Sequence, residues 1–449
     1  MTALLPPPAS LAAGPVRRDR AIDLVRAGSL ALVVALHALM VGVTVAGGEP
    51  VFANALEVPG FAPFSWFVQM MPLFFIAGGV TAIGSWRRSR ERGGTPGTFI
   101  AARTARLMRP AAALFLVVAC ALGMLAAAGV PGDLVAEAGF RISQPLWFLG
   151  AFLLVQALVP LMAVWHERAR VSALLLPLAG VAAVDLIRFG SGIEAIGFLN
   201  LALVWLFVQQ LGFWHADGDL IRMSGRTRTA LLLAVGGALA VLCAAGPYAA
   251  DMYVNLNPPT LLLALFGAAQ ALLLGWATPW LRRAASRPAV DRAIDVIAPR
   301  AMTVYLWHMP VLIGLAGLAA AGALAGAVPL PDPLSVGWWL TRPAWLAVAA
   351  VSVALVTAAA HRFERGRPGS DPVSLAAACG AAALGVATVA CMFVAGLGPG
   401  TALCCAALCA VAAALAGDFP TAKARAGAIA LRRAAREAGG VVENRGARA

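Results

Sequence analysis

The sequence predicts an all-α polytopic transmembrane helical bundle, and three observations predict it. Of 449 residues, 61% are hydrophobic and 12% charged, against about 25% charged in a soluble domain. A water-facing surface of this size needs more charge than that, so lipid must cover much of it. Apolar stretches close to the ~20-residue length of a membrane span recur along the whole chain. Basic residues gather in alternate connections between those stretches, as the positive-inside rule requires of a multi-pass protein.

The stretches lie at about 27–47, 64–86, 110–130, 145–165, 171–188, 195–212, 229–247, 258–280, 299–321, 341–360, 374–396 and 401–416. The last is short and pairs with the eleventh as a hairpin through Gly396-Leu397-Gly398-Pro399-Gly400. Every Lys and Arg except Arg141, Arg188 and Arg342 falls on one set of connections. That set includes both tails, so the expected topology has both termini in the cytoplasm of a plasma-membrane protein. The tails, residues 1–19 with Pro6-Pro7-Pro8 and the Ala/Arg-rich 419–449, read as disordered. Between them the expected organisation is a ten-span domain over 20–368 and two additional spans over 369–418.

The formal net charge is +13. In a soluble chain this would suggest nucleic acid; here the charges lie between apolar runs, so they read as membrane orientation and lipid contact, with no nucleic-acid partner. The first apolar run follows Arg17, Arg18 and Arg20 but is span length, so it reads as an anchor rather than a cleavable signal. The seven Cys all lie in apolar segments without paired zinc spacing. They read as small buried hydrophobes, with neither disulfides nor a metal site expected.

Titratable groups at membrane depth are costly, so each is a functional candidate. His37 stands about ten residues into the first stretch, or roughly 15 Å deep at 1.5 Å per residue. Asp23 and Arg26 fall within roughly 40° and 20° of its direction on a helix, so one stripe carries an acid, a base and an imidazole. The same residues also fit two interfacial charges below a packed imidazole. His308, in Tyr305-Leu306-Trp307-His308-Met309-Pro310, lies roughly 12 Å deep in the ninth stretch. Two imidazoles at one level can face one cavity, and Pro310 frees a carbonyl nearby. His166, His215 and His361 sit at stretch ends and read as interfacial. Arg103, Arg106 and Arg109 recur every three residues on one helix face at the cytoplasmic boundary. Guanidinium forks of this kind hold phosphate bidentately; topogenic charge with lipid headgroup contact fits them as well.

The order of these features resembles the acyltransferase family 3 of membrane O-acyltransferases. Arg20-Ala21-Ile22-Asp23-Leu24-Val25-Arg26 leading to His37 is similar to the family's opening Asp and Arg followed by a span His. Pro72-Leu73-Phe74-Phe75-Ile76-Ala77-Gly78-Gly79 resembles its Phe-Phe…Gly signature, with Ala77 where Ser is common. The run Phe99 to Pro110, with Arg103, Arg106 and Arg109, resembles its Arg-x-x-Arg…Pro element. Pro145-Leu146-Trp147-Phe148-Leu149 matches its Trp-Phe-Leu element, and Tyr305-Leu306-Trp307-His308 its late Tyr…His span. The match covers about residues 17 to 365; the last two spans lie outside it, and no soluble esterase-like domain is attached.

The resemblance implies an acyl-CoA donor, acetyl-CoA above all, used as a substrate, with no permanently bound cofactor. It implies O-acetylation of a hydroxylated acceptor: polysaccharide, glycolipid or secreted small metabolite. The donor phosphates would rest on Arg103, Arg106 and Arg26. The thioester would reach His37, acting as general base or as acyl carrier. Asp23 would orient or charge-balance a neighbour, His308 would share the catalytic site, and Trp147 would contact the acceptor or pack in an aromatic belt. The alternative is a proton-coupled secondary transporter, in which His37, Asp23 and His308 form a proton relay.

Overall fold

The computed structural model describes residues 19–58, 60–327, 329–364 and 373–417. The two tails and the expected boundary near 368 lie outside these residues, Asp19 excepted. In order, the elements are α1 (Arg20–Met40), strands β1 (Gly42–Ala46) and β2 (Glu49–Ala53), α2 (Phe61–Val68), α3 (Met71–Glu91), α4 (Pro96–Ala127), α5 (Gly132–Ser143), α6 (Trp147–Ala157), α7 (Val159–Ser191) and α8 (Asn200–Ala216). There follow α9 (Asp219–Arg222), α10 (Gly225–Ala245), α11 (Leu261–Ala285), α12 (Pro288–Ile297), α13 (Ala301–Leu324), α14 (Val336–Ala360), α15 (Leu375–Ala395) and α16 (Pro399–Leu415). Among the described residues, eleven helical segments are long and apolar enough to cross a membrane, and α16 is a shorter apolar helix. The chain is a multi-pass, all-α membrane protein.

The first span departs from its apolar run at both ends. Asp19 caps α1, its carboxylate accepting from the Ala21 N–H, so the helix starts at Arg20 rather than near residue 27. It ends at Met40, and residues 42–46 pair with 49–53 as an antiparallel hairpin. Val43-Thr44-Val45 is β-branched and favours a strand. Gly47 and Gly48, at φ 62° and 85°, supply the two left-handed positions of a two-residue hairpin turn. Unpaired backbone at this depth needs protein partners. The Ala38 carbonyl accepts from Trp345 Nε1 at 2.8 Å, and Gly42 lies so close to Ala53 and the Trp338 ring that a Cβ would stand 2.9 Å from the Ala53 oxygen.

The fourth expected stretch divides between α6 and the first part of α7, and α7 runs on through the fifth with a break at Ala169, whose φ of −151° and ψ of 67° are not helical. The corner is held by an ion cluster at the basic end of the bundle. Asp217 accepts from Arg87 Nη1 at 2.6 Å, Arg170 Nη2 at 2.8 Å and His166 Nε2 at 3.1 Å. Glu167 holds Arg87 and Arg90, and Arg170 also holds Asp219. The ends of α3 and α8 are thereby tied to the break within α7. His166, expected at an interface, is instead buried, with Gln210 Oε1 2.8 Å from its Nδ1, and His215 is buried as well. Burial opposes the Asp217 charge, but the Arg87 and His166 hydrogen bonds more than offset it and hold the carboxyl below the ordinary carboxylate range. Such a group stabilises the fold above its unfolded pKa, and the contribution is lost only as pH falls below about 4. Asp217→Ala is therefore expected to lose roughly 1–3 kcal/mol of stability at neutral pH, read as a lower melting temperature in detergent that responds less to acidification near pH 4, the part due to Glu167 remaining.

α1 packs against α3, α11 and α13, while α15 and α16 pack chiefly against α4 and α6. The contacts of the last two helices rest on small residues: Ala402, Cys409 and Ala412 of α16 are fully buried, and Gly385 of α15 admits Leu153 and Met108 to within 2.7 Å of where its Cβ would stand.

Candidate active site

The two imidazoles from opposite ends of the sequence meet. His37 lies three residues before the end of α1 and His308 seven residues into α13. Their rings are nearly parallel with centroids 4.9 Å apart, and His37 Nδ1 is 2.7 Å from His308 Nε2. His308 is fully buried and His37 half-buried, so the pair is approached from the His37 side.

Hydrogen bonding assigns the protons. His308 Nδ1 is 2.6 Å from the Tyr305 carbonyl and 3.3 Å from that of Val304. A carbonyl only accepts, so Nδ1 of His308 carries a hydrogen. With His308 neutral, its Nε2 is a lone pair, which accepts from His37 Nδ1–H. His37 Nε2 is then left as a lone pair, the acceptor a general base requires. Pro310 removes the helical partner of the Leu306 carbonyl; the imidazole bonds one residue earlier, to Tyr305. Tyr305 is fixed in turn, its hydroxyl donating to the Pro145 carbonyl at 3.0 Å. This bond ties α13 to the break between α5 and α6, immediately before Trp147.

Trp147 is half-buried, with its ring stacked on Trp205 at 5.8 Å; Trp205 stacks on Phe75 at 4.3 Å, and Phe148 meets both Phe75 and Tyr305 edge-on. The Phe-Phe and Trp-Phe-Leu segments are thus neighbours in one aromatic wall that reaches the His308 turn.

At the basic end, Arg103 lies over the Phe99 ring at 5.1 Å, and the charges of Arg106, Arg26 and Arg88 each act on it. The cluster joins α1, α3 and α4. Asp23 is buried in the first turn of α1. It stands about 21 Å along the helix from His37, so it belongs to the basic end and not to the imidazole pair. Arg109 is half-buried further along α4.

Two groups escape a reading of the sequence alone. Arg88 joins the guanidinium cluster from α3, hidden among like residues. Asp185, a carboxylate inside a span, is fully buried and accepts from Asn200 Nδ2 at 2.8 Å, Tyr248 O–H at 3.0 Å and the Leu261 N–H at 2.7 Å. Its partners are all structural: it caps the start of α11.

An imidazole pair fixed at one level, an arginine cluster at one end and an aromatic wall between them occur in a chain of which residues 19–361 match the family described as an acyltransferase domain. The chain belongs to the acyltransferase 3 family. This acyltransferase is matched over α1 to α14, from the Asp19 cap to His361, so α15 and α16 lie beyond the family domain. No curated protein and no solved structure matches it.

Proposed function

We propose that this acyltransferase moves an acetyl group from cytoplasmic acetyl-CoA to a hydroxyl of a carbohydrate, glycolipid or secreted metabolite, in a plasma membrane with both termini inside. The observation that carries the reading is the hydrogen-bonded His37–His308 pair, with a lone pair left on His37 Nε2.

In this reading His37 Nε2 takes the proton of the acceptor hydroxyl as its oxygen attacks the thioester carbonyl. The C–S bond then breaks, and coenzyme A leaves as a thiol after taking the proton back. His308 is a positioning residue: it holds the reactive tautomer of His37 and accepts from the imidazolium formed during the reaction. Arg103, Arg106 and Arg26 hold the donor phosphates at the basic end. The thin pantetheine arm spans the depth between that cluster and the imidazoles. Asp23 balances the arginines, and Trp147 supplies an aromatic face for the acceptor. Acetylated groups on envelope carbohydrates and in secreted metabolites, compared with and without the gene, test the reaction; unchanged O-acyl content in both, with no thioester consumed by the purified protein, overturns it.

Arg103→Ala and Arg106→Ala are each expected to weaken donor affinity by roughly 1.5–3 kcal/mol, the worth of a charge-assisted contact. Arg→Lys should recover only part of it, because the two-pronged geometry is lost. Unchanged apparent affinity in both Ala variants would leave the arginines as orientation charge.

A further inference from the structure

The last carbonyls of a helix have no partner within it. Helices commonly satisfy them by closing on a glycine in the left-handed conformation. α1 has no such ending. The chain leaves it at Val41, with φ −95° and ψ 85°, and passes straight into β1. His37 lies inside this last turn, three residues before its end. A turn without a cap frays, and fraying here moves the ring that meets His308.

α14 supplies the donor that α1 lacks. Trp345 Nε1 donates to the Ala38 carbonyl at 2.8 Å, the residue directly after His37. Ala38 is buried, so this oxygen has little recourse to water once the indole is lost. The indole is itself held in place. The Arg342 guanidinium stands 5.5 Å from the Trp345 ring and 4.1 Å from that of Trp338, both within the ~6 Å reach of a cation–π contact. Its Nε donates to the Trp338 carbonyl at 3.2 Å.

The two tryptophans are seven positions apart, which sets them roughly 20° from one another around the helix. Both meet the end of the first span. Trp338 lies against Gly42, with Nε1 3.5 Å from where a Cβ would stand, yet its N–H is buried and has no hydrogen-bond partner. Trp345 therefore differs from Trp338 in that its N–H is used.

We propose that Trp345 is a positioning residue for acyl transfer, its hydrogen bond to the Ala38 carbonyl keeping the last turn of α1 formed and the His37 ring aligned with His308. The inference rests on the reading of His37 as the general base. It gives α14, which contributes no group to the imidazole pair, the task of holding that pair in register.

The test compares Trp345→Phe with Trp338→Phe in the full-length protein. Turnover is acetyl-CoA thioester consumed per folded molecule in native membranes, which carry acceptors. The state of His37 is read by imidazole nitrogen NMR of the protein in detergent, its signal assigned by its loss in His37→Ala. Trp345→Phe removes the donor and is expected to lower kcat about fivefold, the rate equivalent of one neutral hydrogen bond. The KM for acetyl-CoA should be unchanged, and the His37 signal should move towards the average of the two tautomers. Trp338→Phe removes an N–H that binds nothing, so it should keep the wild-type kcat and His37 signal. Wild-type kcat and an unmoved His37 signal in Trp345→Phe, with only the yield of folded protein reduced, would make the residue structural and overturn the proposal. Equal losses of kcat in the two variants would also overturn it, because packing rather than the hydrogen bond would then be responsible. Wild-type membranes that consume no more thioester than membranes without the gene overturn the transfer reading instead; the His37 signal of Trp345→Phe then decides the positioning by itself, moved if Trp345 orders the ring and unmoved if it does not.

Discussion

His37→Ala is expected to lower acyl transfer by about a thousandfold, the middle of the range for a positioned general base, while the protein remains inserted and abundant. His37 Nδ1 is engaged by His308 at 2.7 Å, so the other ring nitrogen is the group the reaction uses. Removing the ring takes an imidazole out of a costly location but leaves the buried His308 Nε2 without its donor, at a cost of roughly 1–3 kcal/mol. The two contributions oppose each other, so stability should change little. The measurement is turnover per folded molecule, with detergent-solubilised protein quantified by fluorescence size exclusion. A structural imidazole would give the reverse pattern, low abundance with normal turnover per molecule. Substantial residual turnover at normal abundance would remove His37 from the mechanism and make His308 the candidate base.

The depth argument read from sequence is what brings His37 and His308 to one level, roughly 15 and 12 Å in. The two rings do meet although the first helix is misplaced by several residues, and the equal counted depths do not survive on the observed helices: His37 lies 17 residues (37 − 20) into α1 and His308 seven (308 − 301) into α13. The misplacement has a physical cause. Residues 27–46 are largely apolar, and hydropathy does not separate a span helix from a helix followed by a half-buried hairpin. The evidence for the true bounds is local: Asp19 as a capping residue, the β-branched run Val43-Thr44-Val45, and Gly47-Gly48. The burial of His166 had no such local sign. It depends on Gln210 and Asp217, 44 and 51 residues further on, and on the Ala169 break that turns the chain between them. Arg88 differs from Arg87 and Arg90 only through partners on other helices. Composition and periodicity locate the spans and the charged end; which of several like residues is left without a carboxylate is decided by packing.

Replacing His308 should separate positioning from proton transfer. When His37 Nε2 takes the acceptor proton, the ring becomes an imidazolium whose Nδ1–H points at His308 Nε2. A hydrogen bond to a charged group is worth roughly 1.5–3 kcal/mol, so losing it should slow turnover about 10- to 150-fold. His308→Phe keeps a flat ring in the buried space but removes the acceptor, and it frees His37 to adopt the unreactive tautomer. His308→Gln keeps an acceptor oxygen on a side chain of similar reach and should recover part of the rate. The donor KM should stay at the wild-type value in both, because His308 is remote from the arginine cluster. A merely structural His308 would instead lower the amount of folded protein in both variants and would not rank Gln above Phe in turnover per molecule. Wild-type turnover in His308→Phe would mean that His37 holds its reactive tautomer unaided, and that the Tyr305–His308–His37 chain takes no part in the reaction.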